Sequence, residues 1–345
     1  AGAALGGRNR VQPAAPVTGQ AESSEKKMAN ITVLSSQEIE HVLGRYNLGT
    51  LLSCTPMDGG LANSSVKLVT RSGSYVLSVC DEKEMNEIKR LCAVLEYLED
   101  HHFPTTRVVQ TRNGESFIDY QGKPLYVKQF IAGDVVEKLN SMQLGEIGAT
   151  LASLHEIPPC PGLLNRFSYG IECFDELKDR ASADHYHRWL SSCRKRVEEA
   201  RSEPLPRGFV HGDLFFDNML FANGSLVALL DFEEACDYFT IFDLGMTAVG
   251  CCAPGGSFSL EMTAALVEGY QSRRRLEDSE RRLLQLHIEY GAAATSFWRY
   301  RQYNMRNPDS QMKDHYLAMV EIAQQVQSID NQVFMESVFR NSINP

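Results

Sequence analysis

Residues 208–232, GFVHGDLFFDNMLFANGSLVALLDF, constrain this chain more than any other stretch. The run LVALL at 226–230 has the length of a buried strand, and Ala222-Asn223-Gly224-Ser225 has the composition of a hairpin turn ahead of it. A hairpin there carries Asp231 back beside Asp213 and Asn218. Two carboxylates and a carboxamide then meet among apolar strands, in a segment with no Lys or Arg to match their charge. Like charges brought together out of water are costly, so the arrangement calls for a cation. Oxygen ligands alone suit Mg²⁺, which takes one or two carboxylates together with substrate phosphates. Phosphoryl transfer uses this set: an Asp for the proton of the attacking hydroxyl, an Asn for metal, and a second Asp for the metal that bridges nucleotide phosphates. The spacing HxDxxxxN, an apolar strand and then Asp-Phe matches it. For each residue alone, the competing reading is a turn-capping Asp or Asn.

The rest of the chain divides in two. Strands are predicted near 50–56, 65–71 and 74–80, with the turn RSGS at 71–74, then a helix over 83–100 and strands near 116–119 and 124–130. A short helix from Ser35 or Ser36 to about Tyr46 precedes them. After Gly133 helices dominate, at about 141–155, 174–200, 239–251, 259–272, 278–305 and 310–338. The expectation is an α+β bilobal fold: an N-terminal lobe over 28–130, with a small antiparallel sheet and one helix, and a larger helical C-terminal lobe over 131–345. Residues 1–27, rich in Ala, Gly, Pro and polar residues, read as a disordered tail or leader ahead of Met28, with organellar targeting as an alternative.

Composition narrows the partners. Lys and Arg number 34 against 44 Asp and Glu, a formal charge of −10, which argues against nucleic acid or anionic membrane as the main partner. No run approaches the length of a membrane-spanning helix. Nine cysteines without a CxxC pair read as reduced thiols in a cytoplasmic protein, and nine histidines without HExxH leave no zinc pattern.

HGDLFFDN together with LLDFEEA resembles the aminoglycoside phosphotransferase and choline kinase superfamily, which has the protein-kinase-like bilobal fold. HGDLFFDNMLF, DFEEACDYFTIFDL, GYQS, SFWRYRQYN and GGLANSS are similar to its homoserine kinase branch, and the likeness spans about 35–325. The resemblance implies an ATP- and Mg²⁺-dependent kinase acting on the hydroxyl of a small amine-bearing metabolite, homoserine first. Asp213 becomes the catalytic base, Asn218 and Asp231 the metal ligands, His211 a brace for the catalytic loop, and Asp243 a second brace from below.

On the nucleotide side, Gly59, Gly60, Asn63 and Ser64 form a loop suited to phosphates. Val76 roofs the adenine, and the backbone of Gln129 to Ile131 meets its edge. Kinases of this shape carry a Lys on the third strand paired with a Glu on the next helix. Here Ser78 holds that position, as the homoserine kinase branch also tends to lack the Lys. Lys67 or Lys83 are the substitutes considered, with Glu84 or Glu87 as helix partner. On the acceptor side, Glu233, Glu234 and Asp237 suit an ammonium, and Trp298 with Arg301 suit a carboxylate. The branch's Arg near Ser296 is absent. Other readings stay open: choline, an aminoglycoside or another amino alcohol or sugar as acceptor, or an inactive nucleotide-binding protein, for which Ser78 is the motive.

Overall fold

The computed structural model describes residue 32 and residues 34–57, 63–178 and 184–340. Gly59 and Gly60 lie outside the described residues, and Asn63 is described only as backbone. Ser35 opens helix α1 (Ser36–Leu43) with a reciprocal cap, its side chain accepting from the Glu38 amide while Glu38 reaches back. Strands β1 (Leu51–Pro56), β2 (Asn63–Thr70) and β3 (Gly73–Cys80), helix α2 (Met85–Asp100), and strands β4 (Val108–Val109), β5 (Ile118–Tyr120) and β6 (Lys123–Gln129) complete the first lobe. The sheet runs β1-β2-β3-β6-β4, with β5 also on β6, and every pairing is antiparallel.

Strand alternation gives this sheet two unlike faces. Leu68, Leu77, Val79, Leu125 and Val127 are buried against Ile39 and Val42 of α1. The opposite face carries Ser65, Lys67, Val76, Ser78, Tyr126 and Lys128, held in line by the pairings Ser65–Ser78–Tyr126 and Lys67–Val76–Lys128. That face looks toward α2 and the second lobe, with Cys80 and Tyr126 sharing a core with Ile88, Leu91 and Leu95.

The second lobe is helical around one short β insert: α3 (Ser141–His155), α4 (Asp184–Ala200), β7 (Arg207–Val210), β8 (Met219–Ala222), β9 (Ser225–Leu229), β10 (Cys236–Phe239), α5 (Thr240–Cys251), α6 (Leu260–Gln271), α7 (Asp278–Tyr300), α8 (Leu317–Ser328) and α9 (Asn331–Val338). Helix α5 is buried nearly all round and forms the axis of the lobe. Helices α3 and α6 touch backbone to backbone: a Cβ on Gly148 would stand 2.1 Å from the Leu266 carbonyl oxygen, so only glycine fits.

Three helical expectations are corrected. The span 174–200 takes in the end of a 3₁₀ segment, Ile171–Leu177, and the separate helix α4. The span 278–305 is α7 followed by a π-helical turn, Arg301–Arg306. In 310–338 the chain turns before α8 and breaks again at Asp330, whose carboxylate accepts the Gln332 and Val333 amides and restarts it as α9. Strand β10 was not anticipated. All nine cysteines are free thiols, and no helix among the described residues is long and apolar enough to cross a membrane.

Candidate active site

Strand β7 runs antiparallel to β10 and delivers the chain to His211. Gly212 turns it with φ 85°, where a Cβ would approach the Glu234 carbonyl oxygen to 2.8 Å. The β8–β9 hairpin closes through Asn223 and Gly224, both at positive φ as a tight primed turn requires, and returns the chain to Asp231. Two bonds join the loops. The Leu230 amide donates to the Asn218 carbonyl at 2.8 Å, and His211 Nε2 lies 2.7 Å from the Leu230 carbonyl. His211 Nδ1 accepts the Asp213 amide at 3.2 Å, and the buried ring is held below the usual imidazole range, first by loss of solvent. Both ring nitrogens thus serve the loop.

Asp243, on α5, anchors the loop from beneath. Its carboxylate accepts the His211 amide at 2.7 Å and the Gly212 amide at 2.8 Å, and lies 3.0 Å from His155 Nε2. His155 Nδ1 continues to the Tyr270 hydroxyl at 2.6 Å. Burial alone would raise this carboxyl, but these donors hold it below the ordinary range.

Asp213 behaves in the opposite way. Loss of solvent, then the nearby Asp231 and Glu234, push its carboxyl up to about 7, although the Tyr169 hydroxyl donates to it at 3.1 Å. Asp231 is crowded by protein yet open to the cleft, and takes a left-handed backbone, φ 62°. Its carboxyl is also raised, by desolvation and by Glu233, with Lys128 and then Lys83 opposing. The Asn218 side-chain amide donates to the Asp213 carbonyl at 2.9 Å, which turns its oxygen away from that bond. Asn218 and Asp231 line one cavity of about 180 Å³, roofed by Ser65, Ser78, Tyr126 and Lys128.

Among the described residues no group of three or more His, Cys, Asp and Glu forms a metal cage. One carboxylate and one amide oxygen nevertheless fit Mg²⁺, which completes its shell with water and phosphate. Carboxyls raised by loss of solvent, and further by acidic neighbours, are the electrostatic signature of a place a cation would relieve.

The nucleotide-side residues are distributed as follows. Val76 is buried on the cleft-facing side of β3. The Ser64 hydroxyl is directed to Asp81 at 2.5 Å. The Gln129 amide donates to the Arg107 carbonyl and its carbonyl accepts the Thr106 hydroxyl, whereas nothing among the described residues pairs with the Ile131 main chain. Of these two hinge residues, Ile131 alone keeps both groups available. Lys67 sits with its ammonium 3.6 Å over the Phe130 ring, and Lys83 pairs with Glu233. Neither Glu84 nor Glu87 is the partner of that lysine; both serve the N-terminus of α2.

Three residues expected to meet an acceptor have protein partners. Glu233 holds Lys83, Asp237 lies 3.3 Å from Arg207, and buried Arg301 pairs with Glu176 at 3.3 Å. Trp298 packs edge-on against Tyr303. Arg299 is half-buried, makes one long bond to the His315 carbonyl at 3.4 Å, and lies within electrostatic reach of Asp213 and Asp217. It lies between Trp298 and Arg301 in the sequence, where aromatic–cation spacing pointed to Arg301. Glu234, bonded by Ser168, stands near Asp213 from the other side. Ser296, the position of the missing branch arginine, is sealed and bonded to Tyr186 at 2.6 Å.

Residues 53–277 match the model of the phosphotransferase enzyme family. The homoserine kinase of Caulobacter vibrioides is 30% identical over 279 residues, covering 78% of this chain and 88% of that protein. That of Nitrobacter winogradskyi is 28% identical, covering 77% and 84%. Among solved structures, an amicoumacin kinase in complex with AMP-PNP and Ca²⁺ aligns with TM-score 0.69 at 14% identity, over 87% of this chain and 97% of that one. A microcompartment-associated aminopropanol kinase aligns with TM-score 0.66 at 17% identity, over 85% and 97%.

Proposed function

Because the chain belongs to the phosphotransferase enzyme family and is a small-molecule kinase, we propose that it phosphorylates the hydroxyl of homoserine with ATP and Mg²⁺. The observation that carries this reading is the closeness of Asp213 to Asn218 and Asp231, the two that line one cleft, with both carboxyls raised. Asp213 accepts the proton of the attacking hydroxyl, a role suited to a carboxyl near 7, and Tyr169 fixes its orientation. Asn218 and Asp231 hold the metal. Bound there, Mg²⁺ offsets charge on the transferring phosphoryl group. Val76 roofs the base and Ile131 meets its edge. Arg299 takes the acceptor's carboxylate, and Glu234 or Asp217 its ammonium.

Homoserine is supported by the names of relatives near 30% identity. Ser296 favours a second reading, an amino alcohol other than homoserine, since the position where the branch carries arginine is closed off by Tyr186. The deciding experiment is ATP consumption with Mg²⁺ across homoserine, choline, ethanolamine, aminopropanol and an aminoglycoside. Homoserine should give the highest kcat/KM. A higher value for another alcohol replaces the acceptor, and no turnover with any of them removes the kinase reading.

A further inference from the structure

We infer that Lys128, on the last strand of the N-terminal sheet, binds the nucleotide's phosphates in the role that a third-strand lysine would otherwise fill. The inference rests on the kinase reading above. Ser78 stands where that lysine is expected, and its cross-strand partner on β6 is Tyr126. Lys128 lies two residues further along β6, on the same face. Its ammonium is 5.6 Å from the centre of the Tyr126 ring, so the side chain bends back along the strand toward Ser78. Ser65 and Ser78, hydroxyl to hydroxyl at 3.0 Å, are short enough to leave that volume to it. The ammonium therefore arrives from a neighbouring strand at the place a lysine from residue 78 would reach.

Lys128 lines the same cavity as Asn218 and Asp231. Among the described residues no carboxylate or carbonyl pairs with it. The two lysines that the sequence offered are engaged, Lys83 with Glu233 and Lys67 on the face of Phe130. A half-buried cation with a ring but no carboxylate or carbonyl beside it, lining a cavity that it shares with an aspartate, is arranged for an anion not made of protein.

The test compares ATP and adenosine binding, with Mg²⁺, to the full chain and to Lys128→Met, Lys128→Gln and Lys128→Arg. Both neutral variants should lose about 10- to 100-fold in ATP affinity, the size of a hydrogen bond to a charged group. They should bind adenosine as the parent does, and Lys128→Arg should keep most of the ATP affinity. Lys128→Gln decides the matter if the methionine variant melts early. Unchanged ATP affinity in the neutral variants overturns the inference and leaves the kinase reading standing. Equal loss of ATP and adenosine also overturns it, since the lysine would then serve the base or the packing. A parent chain that binds neither ligand overturns both.

Discussion

Asp243 and Asp213 lie in the same corner of the C-terminal lobe and are treated in opposite ways. Asp243 has two backbone amides and a histidine around its carboxylate, and its carboxyl is held low in spite of complete burial. Asp213, also short of solvent, has one tyrosine hydroxyl and three acidic neighbours, and its carboxyl is pushed up to about 7. Donors, not depth, separate them. One aspartate is thus satisfied by protein and secures the backbone, while those at the cleft have few donors of their own.

The contrast is broken most severely by Asp213→Asn. Turnover should fall on the order of 10²–10⁴, measured as kcat with ATP affinity checked separately. An undiminished kcat would remove Asp213 as the base. Asp243→Ala should act on folding instead: His155 and two buried amides lose their acceptor, and urea denaturation should show a loss of about 3–5 kcal/mol. If the variant unfolds like the parent, the anchor is not Asp243.

The pH dependence sharpens the same contrast. From the ordinary value of 3.8 up to about 7, the folded chain without metal keeps a proton on Asp213 that the unfolded chain has released. Stability therefore falls as pH rises through that window. Asp213→Asn should melt above the parent at pH 8 and level with it near pH 4. The lowered Asp243 carries the other sign: its contribution is full above 3.8 and disappears as pH falls through its depressed folded value. The smallest effect separates the two arginines. Arg299→Gln should raise the KM for homoserine about tenfold with a normal melting point, a contact worth one decade. Arg301→Gln should leave that KM in place and cost about 1 kcal/mol of stability through the lost Glu176 pair. Equal KM values for the two variants would deny Arg299 its assignment.

What could be read from the sequence was whatever is local along the chain. His211, Asp213, Asn218 and Asp231 fall within 21 residues and are joined by a hairpin whose Asn-Gly turn is itself a sequence signal, so their meeting could be foreseen. The longer strands and helices followed from periodicity, but not β10 or the breaks in the late helices. Pairings across long separations could not be foreseen. Lys83 and Glu233 are 150 residues apart, and nothing in either neighbourhood announces the other. The choice between Arg299 and Arg301 depends on where α7 ends and its π-helical turn begins, a matter of backbone hydrogen bonding that side-chain spacing does not report. Lys128 escaped notice because it reads as an ordinary surface lysine of a half-buried strand; only the register with β3 shows which face it shares with Ser78.

The Lys83–Glu233 pair ties the base of α2 to the turn just beyond Asp231. Both side chains are only 20% and 19% exposed, so dissolved ions screen this attraction weakly. Salt should therefore leave the strap between the two halves of the chain largely intact, where an exposed pair would loosen.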